Sequence, residues 1–115
     1  MKDIDVLNHL ILDPAITDIV GDKLWTTWLP EQAILPAITC NYVSDNATGT
    51  LNGDTLQGRE IITVNCWADD KKTAVDLLNA VKLKMKDYAV RQTTQDLSEE
   101  EQSIYRYAVD YSVFS

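Results

Sequence analysis

The chain has few of the residues on which metal and phosphate chemistry most often depends. Its 115 residues include one histidine, two cysteines, four glycines and three prolines. Neither Cys40 nor Cys66 lies in a CxxC motif, and His9 is the only histidine, which argues against a zinc site. No glycine pattern matches a phosphate-binding loop or a dinucleotide-binding fingerprint.

A single histidine also leaves nucleophilic catalysis without an obvious base. Reactions of that class need a base beside a Ser or Cys nucleophile. His9 lies beside the apolar stripe of the first predicted helix, and we interpret it as a surface or boundary residue. The sequence therefore predicts a protein that is not an enzyme and that binds no cofactor or metal.

Long apolar runs and excess positive charge are absent as well. No stretch approaches the roughly 20 apolar residues that span a bilayer, and the N-terminus lacks the apolar core of a signal peptide. We therefore expect a cytoplasmic protein without a membrane partner. Ten basic and 18 acidic residues give a net charge of −8, which phosphates repel. This charge argues against nucleic-acid binding but is compatible with a surface that DNA passes without adhering.

What remains is the composition of an ordinary folded domain. Apolar residues make up 45% and charged residues 24% of the chain, which predicts one domain over residues 1–115. Periodicity of three to four and of two divides it into predicted helices and strands. The helices are 4–20, with a break at Asp13-Pro14, and 70–88; the strands are 24–29, 37–43, 59–68, 90–96 and 104–114.

The order α-β-β-β-α-β-β predicts an α+β fold: a mainly antiparallel sheet with both helices packed on one face. Strands 37–43 and 59–68 are the expected hairpin partners, which makes Cys40 and Cys66 neighbours. We expect both thiols to be buried and reduced, with a disulfide as the alternative. The predicted core contains Leu10, Ile19, Val64, Leu77, Leu78, Val81 and Tyr107.

Half of the basic residues lie on the second helix, opposite its apolar stripe: Lys71, Lys72, Lys82, Lys84 and Lys86. A solvated helix face and a phosphate-binding patch are the two interpretations. Interspersed Asp70, Asp76 and Asp87 favour the solvated face.

The connection between the two hairpin strands, 44–58, is rich in Asn, Asp, Thr and Gly and too long for a tight turn. We predict that it is an arm that contacts a neighbouring subunit or a partner protein, with Leu51 and Leu56 as apolar anchors. A surface loop without a role is the alternative. The predicted contact residues of the arm are Thr48, Gly49, Leu51, Asn52, Gly53, Asp54 and Leu56.

A second candidate contact is the acidic turn between the last two strands. It contains Glu99, Glu100 and Glu101. We expect these carboxylates, or Asp54 of the arm, to take part in a contact. The alternative is that they only keep the free subunit soluble.

Six segments follow one another in a characteristic order and spacing, with the second predicted helix between the fourth and the fifth: Val20-Gly21-Asp22-Lys23-Leu24-Trp25, Leu35-Pro36-Ala37-Ile38-Thr39, Gln57-Gly58-Arg59, Val64-Asn65-Cys66-Trp67-Ala68, Tyr105-Arg106-Tyr107 and Asp110-Tyr111-Ser112-Val113. In this order the chain resembles the tail completion, or head–tail joining, proteins of tailed phages over nearly its whole length. Trp25, where a smaller aromatic is expected, and the high charge of the turn at 99–101 depart from that pattern.

The resemblance implies a structural virion protein, similar in fold to tail terminators, at the head-proximal end of the tail. Such proteins form a six-membered ring that stops growth of the tail tube and docks the tail to the head connector or stopper protein. In such a ring we expect Glu99, Glu100, Glu101 or Asp54 to face the DNA channel or the connector. The implied location is the host cytoplasm during assembly and then the virion. The competing hypothesis is a small-molecule or regulatory binding module of α+β class, which would need a concave apolar pocket with converging polar groups.

Overall fold

The computed structural model describes residues 2–26, 29–30, 34–47, 58–99 and 104–114. It has an α+β fold with a mainly antiparallel sheet, as predicted. The helices are α1 (Lys2–Ile11), α2 (Pro14–Val20) and α3 (Lys71–Met85), and the strands are β1 (Leu24–Thr26), β2 (Ala37–Ala47), β3 (Gly58–Ala68), β4 (Val90–Asp96) and β5 (Tyr105–Phe114).

The N-terminal helical region breaks where the sequence predicts. Asp13 has an extended backbone, and its side chain accepts a hydrogen bond from the amide of Ala15, at 3.0 Å. Pro14 follows as the first residue of α2, a position that needs no amide donor. Gly21 ends α2 with φ of 64°, a conformation that side chains with a Cβ rarely adopt. The structure therefore has two N-terminal helices, whereas the predicted order α-β-β-β-α-β-β has one.

The strands form a single five-stranded sheet in the order β1-β2-β3-β5-β4. β1 pairs with β2 in parallel, and the other neighbours pair antiparallel. The hairpin of β2 and β3 confirms the predicted partnership. β1 is shorter than expected and ends at Thr26 rather than at residue 29.

One face of the sheet carries all three helices and the hydrophobic core. Ile38, Cys40, Val64 and Val109 point from the strands to this face and are fully buried against the helices. The predicted core residues confirmed as buried are Leu10, Val64, Leu77, Leu78 and Val81.

The core prediction is wrong for Ile19 and Tyr107, which are half-buried and pack against the edge of the core. Val20 and Ile16 are the fully buried residues of α2 instead. Tyr107 pairs with Asp96 on the outermost strand, all of whose residues are exposed. Alternation along the strand predicts the face on which Tyr107 lies. It does not predict how deeply Tyr107 is buried, because that depends on its position next to the edge of the sheet.

Asp70 caps α3 and depends on its charge to do so. Its carboxylate accepts hydrogen bonds from the amide of Thr73, at 2.9 Å, and from the Thr73 hydroxyl, at 2.8 Å. Those bonds lower the pKa of Asp70 below its ordinary value of 3.8. The stabilisation is therefore present above pH 3.8 and is lost as the pH falls through the lower, folded-state pKa.

We expect the Asp70→Ala variant to melt at a lower temperature than the wild type at neutral pH, with a difference that shrinks in acid. The measurement is thermal unfolding of both proteins from neutral pH to well below 3.8. Asp69→Ala is the matched control, since Asp69 is exposed and is not the N-cap residue. A difference that stays constant with pH would show that the cap does not act through the ionised carboxylate.

Within the described residues, no helix has the length and apolar character needed to cross a bilayer.

Candidate interaction surfaces

The predicted arm connects the far ends of β2 and β3. These strands pair as far as Ala47 with Gly58, so the ribbon extends beyond the predicted strand 37–43. Arg59 pairs with Phe114, which places the root of the arm at the end of the sheet where β5 finishes. The predicted contact residues lie outside the described part of the chain: Thr48, Gly49, Leu51, Asn52, Gly53, Asp54 and Leu56.

The acidic turn lies at the opposite end of the sheet. Asp96 ends β4 and pairs with Tyr107 near the start of β5. Glu99 exchanges two backbone hydrogen bonds with Ile104, with N–O distances of 2.8 and 3.1 Å, and is exposed. Glu100 and Glu101 lie outside the described residues. The fold therefore separates the two predicted contact segments instead of combining them in one site.

Ser98 fixes the start of the acidic turn. Its hydroxyl donates to Asp96 at 2.6 Å and accepts from the amide of Arg106 at 3.1 Å, while its own amide donates to Asp96 at 3.0 Å. The bonds from Ser98 lower the pKa of Asp96 below 3.8, so this carboxylate is ionised at neutral pH. A negative charge is thus held beside Leu97, which is 40% exposed.

The helix-free face of the sheet carries a hydrogen-bonded layer that the sequence analysis missed. The indole N–H of Trp67 donates to the hydroxyl of Thr39 at 3.0 Å. The Nε–H of Arg106 donates to Asn65 at 3.0 Å, and its guanidinium lies 4.8 Å from the ring centroid of Trp67. Thr39 and Asn65 are each 1% exposed and are satisfied by these bonds. Alternation along each strand puts these residues on one face of the sheet. Only the pairing register of β2, β3 and β5 shows which of them are neighbours.

Asp110 extends this layer to the edge of the sheet. Its two carboxylate oxygens accept from Thr63 on β3 at 2.6 Å and from Thr93 on β4 at 3.1 Å. The helix-free face is therefore a cross-linked polar surface with an aromatic–arginine pair. Tryptophan and arginine are enriched at protein interfaces, so this face has the chemistry of a contact surface.

His9 links two helices. Its Nε2 lies 3.0 Å from the carbonyl oxygen of Lys84, which can only accept, so Nε2 carries the proton. The ring also stacks on Tyr88, with centroids 4.0 Å apart and planes 19° apart. These contacts join α1 to the C-terminal end of α3. They explain why His9 lies between the two helices, half-buried beside the apolar stripe of α1.

Cys40 and Cys66 are free, buried thiols on neighbouring strands. Cys40 pairs with Val64 and Cys66 with Ile38, so the two thiols share a face and are offset by two residues. Burial raises the pKa of Cys66 to about 12 and that of Cys40 well above its ordinary value. Both therefore remain protonated and unreactive at neutral pH.

We expect no thiol of the folded protein to react with an aromatic disulfide reagent at neutral pH. Two thiols per chain should react after denaturation without reductant, and titration of native and denatured samples measures both numbers. A denatured sample with no free thiol would mean that the cysteines form a disulfide.

Comparisons with known proteins agree with this fold. The family model for tail completion protein gp17 matches residues 4–114. A solved structure of the virion of a native gene transfer agent (GTA) particle contains a chain of similar fold, with a TM-score of 0.67 over 95% of this chain and 90% of that chain. The two sequences are 12% identical, so this similarity concerns the fold alone. No curated protein sequence matches.

The family match spans nearly the whole chain and confirms the resemblance that the order of sequence features predicts. The structural match covers a similar share of the chain and shows a shared fold. The chain belongs to the tail completion protein gp17 family and is a structural protein of a phage tail, located in the virion.

Proposed function

We propose that the protein forms a ring of six copies at the head-proximal end of the tail, where it ends growth of the tail tube and joins the tail to the head connector. The observation that supports this proposal is membership of the tail completion family over residues 4–114. In this proposal the whole chain acts as one domain, assembles in the host cytoplasm, and contacts its own copies, the tail tube protein and the connector.

A ring needs one contact that is repeated head to tail between identical copies. The subunit is suited to this because the ends of its sheet differ. The root of the arm lies at one end and the acidic turn at the other. We propose that both segments contact neighbouring proteins in the virion, the arm through residues 48–56 and the turn through Glu99, Glu100 and Glu101.

The charge of the chain suits a ring through which DNA passes. Each copy has a net charge of −8, and six copies around a channel repel phosphates instead of binding them. Strong attraction would slow the passage of DNA, because each phosphate contact adds to affinity. The acidic composition therefore supports a channel that DNA crosses without adhering.

The test is to add the purified protein to growing tubes of the cognate tail tube protein. We expect shorter tubes, each closed at one end by a ring visible by electron microscopy, and native mass spectrometry should give the mass of six copies. An equally acidic unrelated protein is the control for non-specific effects of charge. Tubes that grow unchanged and bind no protein would contradict the proposed function.

A further inference from the structure

A groove of about 480 Å³ lies between the C-terminal half of α3 and the start of β4. Asn79, Lys82, Leu83 and Lys86 follow the i, i+3, i+4, i+7 spacing and form its wall on α3. Arg91 contributes from β4, and the described residues that line the groove include three cations and no carboxylate. Leu83 is 74% exposed between the two lysines. The groove thus combines an exposed apolar side chain with concentrated positive charge on an otherwise acidic subunit.

One residue that lines the groove has a buried hydroxyl without a hydrogen-bond partner among the described residues. Tyr111 lines it and is 2% exposed, and its hydroxyl oxygen is buried without a hydrogen-bond partner in the described part of the chain. Burial raises the pKa of Tyr111 to about 12, so the hydroxyl keeps its proton. Buried hydroxyls nearly always have a partner, because an unsatisfied one costs free energy. An acceptor such as a carboxylate, supplied from outside the subunit, would satisfy it.

β4 forms the open side of this groove. All seven of its residues are exposed, and it is the outermost strand of the sheet. Val90 is 50% exposed at its start. The helices cover the inner strands, and no residue of β4 is buried among the described residues. A strand of this kind gains little from burial in the free subunit and offers space for a second protein.

An apolar and acidic segment, which complements the apolar and cationic groove, lies at the other end of β4. Leu97 is 40% exposed, the ionised Asp96 precedes it, and the exposed Glu99 follows two residues later. A strand of seven residues is about 20 Å long, so the turn of a subunit is too far from its own groove to enter it. A second copy placed head to tail can supply it.

We propose that the groove between α3 and β4 binds the acidic turn of a second copy of this chain, with Leu97 against Leu83 and Glu99 among the cations Lys82, Lys86 and Arg91. The contact joins unlike ends of two identical subunits, so repeating it generates a ring. This inference rests on the proposed ring, and it identifies the contact between neighbouring subunits of that ring. Glu99 then lies between subunits rather than in the channel.

The test uses three variants assembled on cognate tail tubes. Lys86→Glu with Arg91→Glu should abolish ring formation, and so should Glu99→Lys with Glu100→Lys. The protein that combines all four substitutions should form rings again, because the charges are exchanged but still opposite. Lys23→Glu with Lys72→Glu is the matched control, since it changes net charge equally without altering the groove.

Tyr111→Phe tests the buried hydroxyl separately. We expect unfolding of the free subunit to be unchanged and association between subunits to weaken about tenfold, as for loss of a hydrogen bond to a charged group. The measurements are thermal unfolding and the concentration dependence of ring formation. A variant that associates like the wild type would exclude the hydroxyl from the contact.

The outcomes separate this inference from the proposed function. If the wild type forms no ring on tubes, the proposed function fails. If the wild type and the Lys86→Glu, Arg91→Glu variant both form rings, the groove is not the subunit contact. Rings that form but no longer join heads would assign the groove to the head connector, and the inference would be wrong.

Discussion

Replacing Leu78 with alanine should lower the free energy of unfolding by about 2–5 kcal/mol. Leu78 is 7% exposed on α3 and belongs to the cluster that joins this helix to β3 and β5. Truncation removes buried methyl groups and leaves a cavity that the surrounding helix and sheet cannot fully close. Urea unfolding of both proteins, followed by circular dichroism, measures the difference.

Leu83→Ala is the matched control, because it makes the same change on the same helix at a position that is 74% exposed. We expect it to change the stability of the free subunit by less than about 0.5 kcal/mol. A similarly small effect of Leu78→Ala would mean that α3 presents a different face to the sheet.

Removing the arm should abolish tail completion without unfolding the subunit. Because Ala47 and Gly58 form the outermost described pair of the ribbon, an Asn-Gly turn can replace residues 48–57 and connect the strands directly. The described core joins the helices to β1, β2, β3 and β5, which this variant keeps, so we expect an unchanged unfolding midpoint. Complementation of a phage that lacks the protein should then yield few or no infectious particles.

A second variant tests whether the contact depends on the side chains of the arm or only on its length. In it, a Gly-Ser segment of the same length replaces residues 48–57, which removes Leu51 and Leu56 but keeps the connection. If the side chains make the contact, this variant should also fail to complete tails. Full complementation by the Asn-Gly variant would show that the arm is dispensable and that the protein contacts its partners elsewhere.

The two predicted contact segments differ in how far the fold supports them. Glu99 is exposed beside Ser98, and two backbone hydrogen bonds to Ile104 give its main chain a defined position. For the arm, the structure defines only the root, at the pair of Ala47 and Gly58. The acidic turn can therefore be assigned a complementary groove, whereas the arm remains a prediction from composition and length.

The sequence by itself determined the elements of this fold. The i, i+3, i+4 spacing of Leu77, Leu78 and Val81 predicts which face of α3 is buried, and Asp13-Pro14 predicts the break between α1 and α2. Alternation along β3 separates Val64 and Cys66 from the polar residues of the other face. These signals succeed because they depend on backbone geometry over a few neighbouring residues. The order of such features along the chain was also enough to predict the family.

Only the tertiary structure decided which residues from distant parts of the chain meet. Trp67 and Arg106 pair because β3 lies between β2 and β5, and Lys86 and Arg91 line one groove because β4 extends the sheet beyond the helices. Local periodicity places each residue on a face, but it carries no information about strand order or register, which depend on the packing of the whole sheet. The helix-free layer, the depth of Tyr107 and the unsatisfied hydroxyl of Tyr111 all follow from that order. For this reason the sequence predicted the helices, the strands and the family, whereas the candidate subunit contact came from the assembled sheet.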